Sequence, residues 1–165
     1  MKIHVMKKTI PLFFIAMVIG CLGVLPEAQA VSPPPDGGYP NFTTAEGQNA
    51  LFNLTTGSAN TAVGWFSLWG NAEGNFNTAT GAGTLLFNTA DQNTAFGAAA
   101  LLFNTNGSNN TAVEAAALLN NNAGFENTAN GAFALHDNTG SDNTANGAFA
   151  LFTNTTGERK HSHRC

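Results

Sequence analysis

Apolar residues in this chain fall in clusters of three to five, separated by Gly, Asn and Thr, and the clusters recur at a long, regular interval. Aligning each Asn-Thr-Ala sets copies at Thr43, Asn60, Asn77, Asn93, Asn110, Asn127 and Asn143, with steps of 17, 17, 16, 17, 17 and 16 residues. The seven copies run head to tail from Thr43 to Arg159. Counted from the Asn, position two is Thr and position three Ala in every copy. Position five is Gly in six, with Glu114 the exception, and position twelve is Asn in six, with Leu54 the exception. Clusters this short, bounded by turn formers, have strand length, and Gly and Asn interrupt each unit too often for paired helices. The pattern predicts an all-β fold, a parallel β-solenoid of seven 16–17-residue coils. Two short strands are expected per coil, one around Thr-Ala-x and one around Ala-Leu-aromatic. Coils would stack ~4.8 Å apart, giving a rod roughly 30 Å long.

Each repeated residue then has an expected place. Ala at position three faces a narrow interior. Leu at position nine (Leu51, Leu68, Leu85, Leu101, Leu118, Leu135 and Leu151) forms the core ladder. Gly at position five allows a positive φ at a corner. Asn at positions one and twelve suits corners too, and its stacked amides can bond coil to coil. Position ten holds Phe52, Trp69, Leu86, Leu102, Leu119, His136 and Phe152. Next to a core-facing Leu in a strand, it points outward. Phe52, Trp69, Leu86, Leu102, Leu119 and Phe152 would then form an exposed apolar stripe, the candidate oligomer interface. The competing reading is a coil wide enough to bury both positions.

The flanks differ from the repeat. Lys2, Lys7 and Lys8 precede the apolar run from Ile10 to Leu25, and Ala28-Gln29-Ala30 is a small-x-small site, so residues 1–30 read as a secretory signal peptide. A second processing reading stays open: Val18-Ile19-Gly20-Cys21 resembles a lipobox, which would lipidate Cys21. Either way the chain is expected outside the cytoplasm, secreted or at the cell surface. Residues 31–42 read as a Pro/Gly linker and 160–165 as an exposed tail.

Charge narrows the partners. Only 10% of residues are charged, well under the usual ~25%. After cleavage at Ala30 three basic residues remain (Arg159, Lys160 and Arg164) against nine acidic ones, a formal charge of −6. No Lys or Arg lies between Thr43 and Glu158. A body without cations argues against nucleic acid and anionic membrane surfaces as partners. Cys21 and Cys165 are the only cysteines, so no disulfide is expected inside the mature chain.

The repeat resembles the head repeats of YadA-like trimeric autotransporter adhesins of Gram-negative bacteria. The matching residues are Asn60-Thr61-Ala62-Val63-Gly64, Asn77-Thr78-Ala79-Thr80-Gly81, Asn93-Thr94-Ala95-Phe96-Gly97, Asn127-Thr128-Ala129-Asn130-Gly131 and Asn143-Thr144-Ala145-Asn146-Gly147. Asn110-Thr111-Ala112-Val113-Glu114 matches except for its Glu. The resemblance implies a left-handed β-roll, three chains side by side, surface exposure and attachment to host or matrix material. The unit here is longer than the family's, and its coiled-coil stalk and membrane-anchor strands have no counterpart in the sequence. A structural spacer that binds nothing is the second expectation.

Catalysis is not expected. No phosphate-binding loop with a Lys exists in the body, and His136 with Asp137 lacks a nucleophile in any recognisable set. His161, His163 and Cys165 have short-range metal spacing but sit in the tail, without the outer support a metal site needs. Asp91, Asp137 and Asp142 do not recur at one repeat position, so calcium-solenoid chemistry is not indicated. No cofactor or metal is expected. The Thr file at position two suits an ice-binding face, but position four (Glu46, Val63, Thr80, Phe96, Val113, Asn130, Asn146) supplies no second file.

Overall fold

A computed structural model describes residues 40–155, 157 and 159–163. After a short 3-10 stretch at Pro40–Phe42, every Thr-Ala-x forms a three-residue strand. These are β1 (Thr44–Glu46), β2 (Thr61–Val63), β3 (Thr78–Thr80), β4 (Thr94–Phe96), β5 (Thr111–Val113), β6 (Thr128–Asn130) and β8 (Thr144–Asn146). They pair in parallel in chain order, Thr on Thr and Ala on Ala. The fold is therefore a parallel β-solenoid of about seven turns. Period-two alternation sets the faces: the central Ala of each strand is buried, while Thr and the position-four residue face out.

One further rung completes the sheet. His161–His163 forms β10 and pairs with β8, with Ser162 over Ala145. The stretch read as an exposed tail thus continues the register by one strand, although His161 and His163 keep exposed side chains.

The expected second strand is corrected. The Ala-Leu-aromatic segment folds as two consecutive turns. The position-eight N–H donates to the position-five carbonyl of its own coil, as in Ser67 to Gly64 at 3.3 Å. In the first five coils the position-twelve N–H then donates to the position-nine carbonyl, as in Asn71 to Leu68 at 3.1 Å. Position seven is left-handed throughout, from φ 54° at Ala116 to 64° at Gly83. That is what the third residue of a type II turn requires. The Leu of position nine is left-handed as well, between 46° and 52°. Left-handed backbone disfavours Leu by about 1–2 kcal/mol, and burying its side chain returns about 1.5–3 kcal/mol. Among the described residues, only Asp137–Asn138 (β7) and Thr153–Asn154 (β9) pair as strands on this side.

The core has an apolar half and an amide half. Ala at position three and Leu at position nine are buried from the first coil to the sixth, and Leu151 in the last complete coil is half-buried. Position eight (Ala50, Ser67, Thr84, Ala100, Ala117, Ala134, Ala150) is buried between them and accepts only small residues.

The amide half corrects the corner role expected for Asn. None of the asparagines at positions one and twelve has a positive φ; positive φ falls at position five, as expected for its glycines, and also at position seven, position nine and the last residue of each unit. The asparagines are buried, and their stacked amides bond coil to coil, as the repeat led us to expect. In the first file each Oδ1 accepts the next coil's backbone N–H, from Asn77 on Asn60 at 2.9 Å to Asn143 on Asn127 at 3.0 Å. In the second file each Nδ2 donates to the preceding Oδ1, as in Asn104 to Asn88 at 2.8 Å and Asn138 to Asn121 at 2.8 Å. Among the described residues every buried side-chain nitrogen and oxygen has a partner, as a polar interior must.

Position five is where glycine is required. φ runs from 111° to 137° at the six glycines, and a Cβ at Gly131 would lie 2.5 Å from the Gly147 carbonyl carbon. Glu114 occupies the same place at φ 83°, and its Oε2 accepts the Ala132 N–H of the next coil at 2.8 Å.

Candidate interaction surface

The backbone turn at positions nine to twelve decides what the solenoid shows to solvent. Leu enters the core, and the next two residues are carried over the outside of the turn. Phe52 is 65% exposed and Phe152 36%, while Trp69, Leu86, Leu102, Leu119 and His136 are partly exposed. Position ten therefore faces outward in this chain, as the sequence led us to expect, but from a turn instead of a strand. The six apolar residues picked out there lie one per coil along one side, with His136 in the sixth coil.

Position ten does not stand alone. Position seven lies beside it: the ring centroids of Phe66 and Trp69 are 6.1 Å apart, and those of Phe133 and His136 5.8 Å. Position eleven lies on the other flank, where Trp69 meets Phe87 edge to face at 6.5 Å. Coil-to-coil stacking then aligns the rings. Phe87 and Phe103 are 5.6 Å apart and nearly parallel, Phe133 and Phe149 5.1 Å, and His136 and Phe152 4.7 Å at an interplanar angle of 7°. Such offset pairs are worth about 0.5–1.5 kcal/mol beyond their buried area. The stripe is thus a band up to three positions wide, with a ring in every coil but the fifth, where Leu119 is flanked by Ala116 and Asn120.

Positions seven and eleven went unmarked in the sequence because they vary: position seven is also Asn49, Gly83, Ala99 and Ala116, and position eleven also Asn53, Gly70, Asn120, Asp137 and Thr153. One signal was available. Phe66 and Trp69, Phe133 and His136, and Phe149 and Phe152 are each three residues apart, the spacing across one turn.

The band carries little charge. His136 Nδ1 lies 2.9 Å from Asp137 Oδ1, and Asn120 Nδ2 donates to the same oxygen at 2.6 Å. The Asn120 hydrogen bond holds the Asp137 carboxyl below the ordinary aspartate range; partial burial opposes this and His136 adds to it. His136 and Asp137 are therefore committed to each other and to Asn120, next to stacked aromatic rings. Among the described residues no three His, Cys, Asp or Glu side chains converge as metal ligands. Residues 1–39 and Cys165 lie outside the described residues, so the signal peptide, the Cys21 lipobox, most of the linker and the cysteine of the His-rich end do too.

Comparison with protein-family models, with curated proteins and with solved structures finds no match for this chain.

Proposed function

We propose that this chain is an exported structural and adhesive module that works as a side-by-side assembly of solenoids, a trimer by its resemblance to adhesin heads. The carrying observation is the apolar band along positions seven, ten and eleven. A band of rings and leucines one coil after another is large for the surface of a lone soluble rod, and such patches are characteristic of interfaces. Burial of each large apolar side chain contributes about 1.5–3 kcal/mol, a large sum for a rod whose own core is one Leu and two small residues per coil. The cation-free body favours neutral partners, its own copies and host or matrix material, over nucleic acid. The interior is occupied by packed Leu and fully bonded Asn, which leaves the outer surface for function and supports a non-catalytic role.

Sedimentation of the protein recovered after expression of the full chain should give a trimer. A folded monomer at all concentrations would remove the assembly. Pull-down against matrix material separates an adhesin, which retains ligand, from a spacer that assembles and retains nothing.

A further inference from the structure

The two ends of the sheet are complementary, and we propose that copies of this chain stack end to end, the last rung of one copy pairing with the first rung of the next. The sheet order begins at β1 and ends at β10, so each has a strand neighbour on one side only among the described residues. An edge of this kind is a template for another strand. Here the template fits its own opposite end, because one register runs through the whole sheet.

The bonding pattern specifies the joint. The position-five N–H of each coil donates to the position-four carbonyl of the coil before it: Gly64 to Glu46 at 2.7 Å, Gly97 to Thr80 at 2.9 Å, Gly147 to Asn130 at 2.8 Å. Gly47 has this donor in the first coil, and His163 has the matching carbonyl in the last rung. The coil that joins two copies is composite: its strand is residues 160–163 of one copy, and its last turn is residues 40–42 of the next.

Charge selects the same arrangement. The position-four file starts at Glu46 and ends at His163. Arg159 and Lys160 are the only Lys or Arg among the described residues, and both flank that last rung. The file of unit-final residues starts at Phe42, 94% exposed, and ends at Arg159. Stacking brings Glu46 beside His163 and sets the Arg159 guanidinium over the Phe42 ring, a cation–π contact. The reversed arrangement, like end on like end, brings cations together and breaks the parallel register. A head-to-tail contact between different surfaces does not close, so it generates open strings.

Negative-stain microscopy and sedimentation velocity on protein recovered after expression of the full chain test this. Wild type should lengthen into strings of constant width as concentration rises. Glu46→Lys should raise the concentration needed by about tenfold or more, equivalent to about 1.4 kcal/mol of lost attraction or greater. His163→Glu should do the same, and Glu46→Lys with His163→Glu should restore strings. Leu102→Asp on the lateral band should narrow the strings without shortening them, so loss of width and loss of length report on different contacts. Circular dichroism confirms that each variant is folded. Particles one rod long at every concentration, or strings indifferent to Glu46→Lys, would overturn the proposal.

Discussion

Gly131 and Gly83 are both left-handed, at φ 137° and 64°, yet a side chain means different things at the two. A Cβ at Gly131 would meet the backbone of the next coil, with Gly147 C at 2.5 Å and Ala148 N at 2.8 Å. Backbone cannot move aside without shifting a rung. A Cβ at Gly83 would meet only Leu102 Cδ1 at 3.7 Å, an ordinary contact, and Ala99 and Ala116 already occupy the same position. Gly83→Ala should therefore cost about 1 kcal/mol, the left-handed penalty alone. Gly131→Ala should cost about 3 kcal/mol or more, strain and overpacking together. Urea denaturation of the two variants checks the order, and equal costs would show that coil spacing adjusts freely. Asp137 allows a second test at this scale. Its lowered carboxyl value belongs to the folded state, so its contribution is present above the ordinary aspartate range and lost as pH falls through the lowered value. Removing the main cause with Asn120→Ala should move the Asp137 midpoint upward in an NMR titration. An unmoved midpoint would mean that His136 holds the carboxyl by itself.

At the scale of the coil, the amide files act as a second core. Asn104 donates to Asn88 Oδ1 and to the Gly107 carbonyl, and accepts from Asn121 Nδ2 at 3.0 Å. In Asn104→Ala each neighbour keeps one other bond: Asn88 from Asn93, Gly107 from Asn93, and Asn121 to Gly124. The expected cost is thus about 2–3 kcal/mol, a cavity and weakened bonding without a fully orphaned group. Asn106→Ala, two residues along on the exposed outside, should stay within about 0.5 kcal/mol. Thermal melts of the pair separate a structural amide from a surface one. These files also show how far sequence reading goes. Fixed Thr, Ala and Leu disclose the period, the strand and the core ladder: burial admits one residue type at the Ala and Leu positions, while the outward-facing Thr marks the strand by its β propensity. The same constancy at Asn misleads about conformation. Asn is common at left-handed corners, but here it is fixed by hydrogen bonding in the interior. Position five announces its positive φ through Gly, but the other left-handed corners fall where Phe66, Leu68 and Glu126 sit, residue types whose local preference gives no hint of it. Tertiary stacking overrides propensity there, and no composition rule reports stacking. The outward band was half legible for a related reason: its middle position is apolar in six of seven coils, while its flanking positions are aromatic only in some.

For the whole molecule, Leu101 and Leu102 distinguish internal from external cohesion with a single substitution each. They are adjacent in sequence, yet Leu101 is fully buried in the ladder and Leu102 lies in the band with its side chain partly in solvent. Leu101→Asp places a carboxylate among Leu85, Leu118 and the small residues of position eight, with no partner for the charge. Burying an unpaired charge is among the most destabilising changes available, and a solenoid transmits it to every coil that rests on this one. The expected result is loss of the folded signal in circular dichroism. Leu102→Asp leaves its carboxylate in water in the single chain, so the fold should persist with a change of less than about 1 kcal/mol. In a lateral assembly the same carboxylate is buried against a neighbour's apolar band, where it costs several kcal/mol if unpaired. Sedimentation should then show a folded chain that has lost its partners, with association weakened by roughly a hundredfold or more for about 2.7 kcal/mol lost. If Leu102→Asp instead sediments like wild type, the band is not the contact surface. The exposed position-four residues Val63 and Phe96 on the sheet face then become the next surface to substitute.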